Sequence, residues 1–194
     1  GRTDTVRVLL DAGVSLDDVD GDGNTALHIA ARQSCCDVTQ ALVAAKARVD
    51  IKNNQGHTAL DQALVGGHKR VVLLLANTPD GNGYTAVDVA VKTGNIELLE
   101  RLIGAGVFSG SHNHALKSPL ILAISNGQLE AVRSLLQPRV PVDAVDEAGE
   151  TPLMHAASRG NAQIAQQLLD AKASLENRNN QGKTALDLAI ANNH

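Results

Sequence analysis

Apolar residues recur along this chain in pairs of short stripes, and the pairs themselves repeat. In Asp146–Arg178 the first stripe is Leu153, Ala156 and Ala157, and the second is Ile164, Ala165, Leu168 and Leu169. Spacings of one, three and four put each set on one side of a helix. Gly160-Asn161 lies between them and predicts the turn that joins the two helices. Thr151-Pro152 predicts the start of the first helix, with a hydroxyl cap and a proline whose missing N–H is no loss in a first turn. Gly149, two residues earlier, predicts a tight turn. One turn and two short helices thus fill 33 residues.

The same frame runs through the rest of the sequence. Thr25 and Thr58 stand 33 residues apart, as do Thr85, Ser118, Thr151 and Thr184 in series; Thr58 and Thr85 are 27 apart. These positions open the segments TALHIAA, TALDQAL, TAVDVAV, SPLILAI, TPLMHAA and TALDLAI. The period and these segments resemble the ankyrin repeat, with its T-P-L-H-x-A pattern. The resemblance covers the whole chain. It implies an all-α solenoid of stacked helix–turn–helix units with short β-turn fingers, forming one domain over residues 1–194. The repeats would be 1–19 (partial), 20–52, 53–79 (shortened), 80–112, 113–145, 146–178 and 179–194 (partial).

Composition sharpens this picture. The chain has one Tyr, one Phe and no Trp, so Ala, Leu and Val must fill the core. Small first-helix residues such as Ala30, Ala63, Ala90, Ala123 and Ala156 suit closely stacked helices. The net charge of −4 gives no basic footprint for nucleic acid. No apolar run is long enough to span a membrane. Cys35 and Cys36 are adjacent and poorly placed to pair with each other, which favours a reducing, cytoplasmic compartment; delivery into a host cell is an alternative.

Departures from the frame are informative. Lys46 and Lys172 stand where the family has a helix-ending glycine, which predicts a non-glycine residue at positive φ. Asp61, Asp88 and Asp187 replace the T-P-L-H histidine that His28 retains. The resemblance implies that His28 bonds the backbone of a neighbouring turn. Six residues are missing between Leu75 and Asp80, and Pro79 forbids a longer helix there. Leu116 replaces a turn glycine. In the leading helix Val6, Val8, Leu9 and Leu10 are expected to form the apolar face, whereas the closing helix carries Leu186, Leu188 and Ile190 with no partner helix in this chain to cover them.

No set of residues predicts catalysis, a cofactor or a metal. Gly182-Lys183-Thr184 echoes the end of a phosphate-binding loop, but Asn177 stands where the required first glycine should be, and no strand pattern precedes it. His112 and His114 lack a third ligand at zinc spacing. Asp17-Asp18 and Glu97/Glu100 read as solvated faces.

The resemblance implies a non-catalytic protein–protein interaction module whose partner protein binds a concave face of turns and first helices. By position in the frame, the candidate partner-binding residues are Tyr84, Lys92, His112, His114, Lys117, Asn82, His57, Asn126 and Arg159. Other readings are a regulatory or targeting segment of a larger enzyme or bacterial effector, an inhibitor or immunity-type protein, and a structural spacer. The neighbouring parts of a longer array could continue the same chain.

Overall fold

The computed structural model describes residues 3–107, 118–136 and 141–194, with the backbone alone at Arg2. Among these residues the regular structure is helical, in twelve short segments. These are α1 (Arg2–Asp11), α2 (Ala26–Arg32), α3 (Cys36–Ala44), α4 (Ala59–Val65), α5 (Lys69–Ala76), α6 (Ala86–Thr93), α7 (Ile96–Gly104), α8 (Pro119–Ser125), α9 (Leu129–Leu135), α10 (Pro152–Ser158), α11 (Ala162–Asp170) and α12 (Ala185–Ala191). The order matches a leading second helix, five helix pairs and a closing first helix. Helices this short are marginal alone, so packing must hold them.

The chain divides into two compact units. One contains Gly1–Ala86 with Gly104–Val107, and the other Val87–Ile103 with Phe108–His194. In the first unit α2 packs on α3 and α4, α4 on α5, and α3 on both α1 and α5. Leu27, Ala30, Ala31, Leu42, Ala63, Val71, Val72 and Leu75 are buried there. In the second, α8 packs on α9 and α10, α10 on α11 and α12, and α9 on α11. Its core includes Leu120, Ile121, Ile124, Val132, Leu135, Leu153, Met154, Ile164 and Leu168. Full burial of one such Leu or Ile contributes about 1.5–3 kcal/mol, and the alanines let the helices approach.

The helix starts follow the caps expected from sequence. Thr151 accepts a hydrogen bond from Met154 N, with Pro152 in the first turn. At Thr58 and Thr184 the box is closed by aspartate: Thr58 N and Oγ1 both donate to Asp61 Oδ2, at 2.8 and 2.9 Å, and the Thr184–Asp187 pair repeats this. At Asp61 and Asp187, aspartate in the histidine position therefore caps its own helix.

The helix ends also follow the expectation. Lys46 and Lys172 have φ of 72° and 69°. Ala47 N donates to Leu42 O and Lys46 N to Val43 O; Ala173 and Lys172 do the same to Leu168 and Leu169. Both are Schellman ends with lysine in the left-handed position. At the short junction after α5 no residue turns left-handed. Instead Asn77 Nδ2 donates to Leu73 O at 2.7 Å and Thr78 Oγ1 to Leu74 O at 2.8 Å, and the next turn opens at Asp80.

One expectation about apolar faces needs correction. Val8 and Leu9 are exposed, while Val6 and Leu10, one helical turn apart, are half-buried. In α12, Leu188 and Ala185 are buried while Leu186 and Ile190 are exposed, in line with a closing helix that lacks a covering partner. A seven- to ten-residue helix packed on one side covers only residues spaced three or four apart. The expected turn at Leu116 lies outside the described residues.

Candidate functional site

Each finger among the described residues is braced by one side chain at its head. Asp20 Oδ1 accepts from the backbone N–H of Asp22 and Asn24, at 3.0 and 2.8 Å. Asn53 does the same for Gln55 and His57, Asp80 for Asn82 and Tyr84, Asp146 for Ala148 and Glu150, and Asn179 for Gln181 and Lys183, all between 2.8 and 3.1 Å. Aspartate and asparagine serve equally because only one oxygen is needed. The head residue also closes each turn through its own backbone, as in Asp80 N to Tyr84 O.

Two pairs of successive fingers are joined directly. Asn54 N donates to Asp22 O at 3.0 Å, and Asn180 N to Ala148 O at 3.0 Å. Their side-chain amides reach Gly21 O and Glu147 O. This closeness explains Gly23 and Gly149: both have positive φ, and a Cβ at either would lie 2.8 and 3.0 Å from the next finger's backbone nitrogen. His28 adds a further tie. Its Nδ1 accepts from Thr25 N, so Nε2 carries the proton and donates to His57 O at 3.0 Å.

On these fingers His57 and Asn82 are exposed and Tyr84 is half-buried, all in the first unit. Lys92 near the end of α6, Asn126 capping α8 and Arg159 capping α10 are exposed, all in the second. His112, His114 and Lys117 lie outside the described residues.

The structure also assembles a group that spacing did not reveal. His155 Nε2 lies 2.9 Å from Asp146 Oδ2 and 3.7 Å from Glu150 Oε2. The side chains are 7, 13 and 24% exposed, so the group is shielded but open on the Glu150 side. Asp146 Oδ1 is committed to its turn, and Glu150 Oε1 accepts from Asn179 Nδ2 at 3.3 Å. Arg159 Nη1 approaches His155 Nδ1 at 3.5 Å. Burial works to raise the Asp146 carboxyl, but the Glu150 N–H, the His155 side chain and the Ala148 N–H outweigh it and hold it below the ordinary carboxylate range. Among the described residues these three could share a metal ion, since one ligand atom of each lies within 4.8 Å of the others.

The repeated geometry has a counterpart in known proteins. The family model described as "Ankyrin repeats (3 copies)" matches residues 1–82, 35–114, 75–144 and 120–194. The chain belongs to the ankyrin-repeat family. It is 44% identical to protein fem-1 homolog A of Bos taurus over 63 residues, which are 31% of this chain and 10% of that protein. It is 32% identical over 106 residues to the liver isoform of mitochondrial glutaminase of Rattus norvegicus, covering 53% of this chain and 18% of that protein. The chain thus spans less than a fifth of these relatives' length. The crystal structure of the human ASB11 ankyrin repeat domain aligns with a TM-score of 0.54 and 29% identity, over 97% of this chain and 87% of that one. In ankyrin terms, Asp146 and Glu150 lie on a finger and His155 lies one residue beyond the T-P-L-H histidine position, which Met154 fills here.

Proposed function

We propose that this ankyrin chain binds a partner protein along the face formed by its fingers and first helices, with no catalysis in this segment. The observation that carries the reading is the braced finger. Five turns share one hydrogen-bond scheme yet carry different residues just before the helix cap, His57 and Lys183 exposed, Tyr84 and Glu150 half-buried and Asn24 buried. Side chains displayed on a prefixed backbone lose little entropy when they bind. Tyr84, Asn82 and His57 would contribute in the first unit and Lys92, Asn126 and Arg159 in the second, with His112, His114 and Lys117 from the segment between α7 and α8. Aromatic and arginine side chains are the usual binding hot spots. The acidic balance disfavours nucleic acid, and no helix among the described residues is long and apolar enough to cross a membrane. The free thiols Cys35 and Cys36 support a cytoplasmic location.

The test starts with affinity capture to identify the partner, followed by titration of the purified pair. Tyr84→Ala or Arg159→Ala should cost about 2 kcal/mol or more at a hot spot. Arg133→Ala and Gln166→Ala, exposed on the second helices α9 and α11, should leave affinity unchanged. The reverse result would place the partner elsewhere. The glutaminase match supports a second reading, a regulatory ankyrin segment of a larger enzyme; the complete reading frame decides that.

A further inference from the structure

Position four after the helix-capping Thr or Ser is occupied by Ile29, Gln62, Val89, Leu122, His155 and Leu188 in successive repeats. A histidine there is a departure from a mostly apolar position. The residue just before the cap is Asn24, His57, Tyr84, Lys117, Glu150 and Lys183 in the same order, and the finger head alternates between Asp and Asn. Only the repeat containing Asp146 combines a carboxylate head, an acidic residue just before the cap and a histidine one helical turn into the helix.

The fold turns this coincidence into a convergent donor set. Asp146 Oδ2, Glu150 Oε2 and His155 Nε2 lie within 4.8 Å of one another. The remaining carboxylate oxygens are tied off, Asp146 Oδ1 by the Ala148 and Glu150 N–H groups and Glu150 Oε1 by Asn179 Nδ2. Such outer bonds orient ligand carboxylates and support metal affinity. We propose that Asp146, Glu150 and His155 form a binding site for a divalent transition-metal ion of the zinc class, held by one imidazole nitrogen and two carboxylate oxygens. An imidazole with two carboxylates suits zinc and its first-row neighbours. Calcium needs six to eight oxygen ligands and magnesium dehydrates reluctantly, so neither fits three donors of which one is nitrogen.

The hydrogen bonds describe the metal-free arrangement. Arg159 can only donate, so His155 Nδ1 accepts from it and Nε2 carries the proton toward Asp146. Coordination requires the Nε2 lone pair. The ring proton moves to Nδ1, the ring stays neutral, and exposed Arg159 turns out to solvent. Arg159 therefore opposes metal binding, both by holding the other tautomer and by its charge. Three protein donors leave a coordination position for water or for a partner's side chain.

The experiment is isothermal titration of the full chain with zinc sulfate in metal-free buffer, with circular dichroism on every variant. The wild type should show one saturable equivalent that excess magnesium or calcium does not displace. Glu150→Gln, a half-exposed change, and His155→Leu, which installs the residue found at Leu122 and Leu188, should each weaken it by at least about tenfold. Arg159→Ala should bind several-fold more tightly, and the double variant His112→Ala/His114→Ala should bind as the wild type does. Absence of a saturable equivalent overturns the site. So does unchanged affinity in Glu150→Gln and His155→Leu, or loss of the equivalent in the His112/His114 double variant. Equal or weaker binding by Arg159→Ala overturns the tautomer exchange.

Discussion

His28 in α2 donates from Nε2 to the carbonyl oxygen of His57 at 3.0 Å, tying its helix to the next finger across 29 residues of sequence. The same ring caps its own helix, because Nδ1 accepts from Thr25 N. One buried side chain thus serves two structural tasks. His28→Ala removes both and leaves a cavity, and should cost about 2–4 kcal/mol. His28→Asp restores only the capping box, as Asp61 shows at Thr58, and should cost about 1–2 kcal/mol. Urea unfolding of the two variants makes the comparison. Equal losses would mean that the bond from His28 to the next finger, and not the cap, dominates.

The finger heads predict an acid dependence. Backbone N–H of Asn24 is the main cause that holds Asp20 below the ordinary carboxylate range, helped by the Asn24 side chain and the Asp22 N–H against the effect of burial. A carboxyl depressed in the folded state contributes stability above its unfolded value, near 3.9, and loses it as pH falls through the folded value. Asn53 and Asn179 brace the same turn without titrating. Asp20→Asn should therefore fold normally at pH 7 and lose less stability than the wild type between about pH 5 and pH 2. Thermal melts across that range check this; parallel acid limbs for both proteins would refute it.

The junction after α5 depends on two side chains. Asn77 and Thr78 bond the carbonyls of Leu73 and Leu74 in place of a left-handed helix end. Asn77→Ala and Thr78→Ala should each cost about 1 kcal/mol. Native-state hydrogen exchange should accelerate first in Leu74–Gly81, since local openings follow weak local bonding. Uniform protection through residues 70–90 in the double variant would show that these bonds do not hold the junction.

The fold was legible because its signals are local and periodic. The 33-residue spacing, the Thr caps and the lysines at glycine positions each predict a conformation that the backbone adopts. Burial was harder to read. Val8 and Leu9 sit among apolar neighbours in sequence, yet a short helix packed on one side leaves them outside. The Asp146–Glu150–His155 group was not legible for a different reason. Asp146 is a frame residue with a turn to brace, and its second oxygen is left over. His155 stands one position beyond the family histidine, where an imidazole has no role in the frame. Only the fold, which lays the start of α10 against its own finger, brings those atoms within bonding distance.

Lys46 and Lys172 permit a quantitative test of backbone strain. Both hold positive φ, 72° and 69°, in Schellman ends with the same bonds. A side chain in the left-handed region costs about 1–2 kcal/mol per residue, and glycine removes that cost. Part of the gain is returned because glycine frees the unfolded chain. Each Lys→Gly change should thus stabilise by about 0.5–1 kcal/mol. Both lysines are exposed, so lost side-chain packing is small. They lie in different units, and the double variant should gain the sum of the two to within about 0.5 kcal/mol. Denaturant titration at neutral pH measures all three proteins. Destabilisation in both single variants would mean that the lysine side chains contribute more than the strain they carry, and the left-handed ends would then be a tolerated cost of useful residues rather than an uncompensated one.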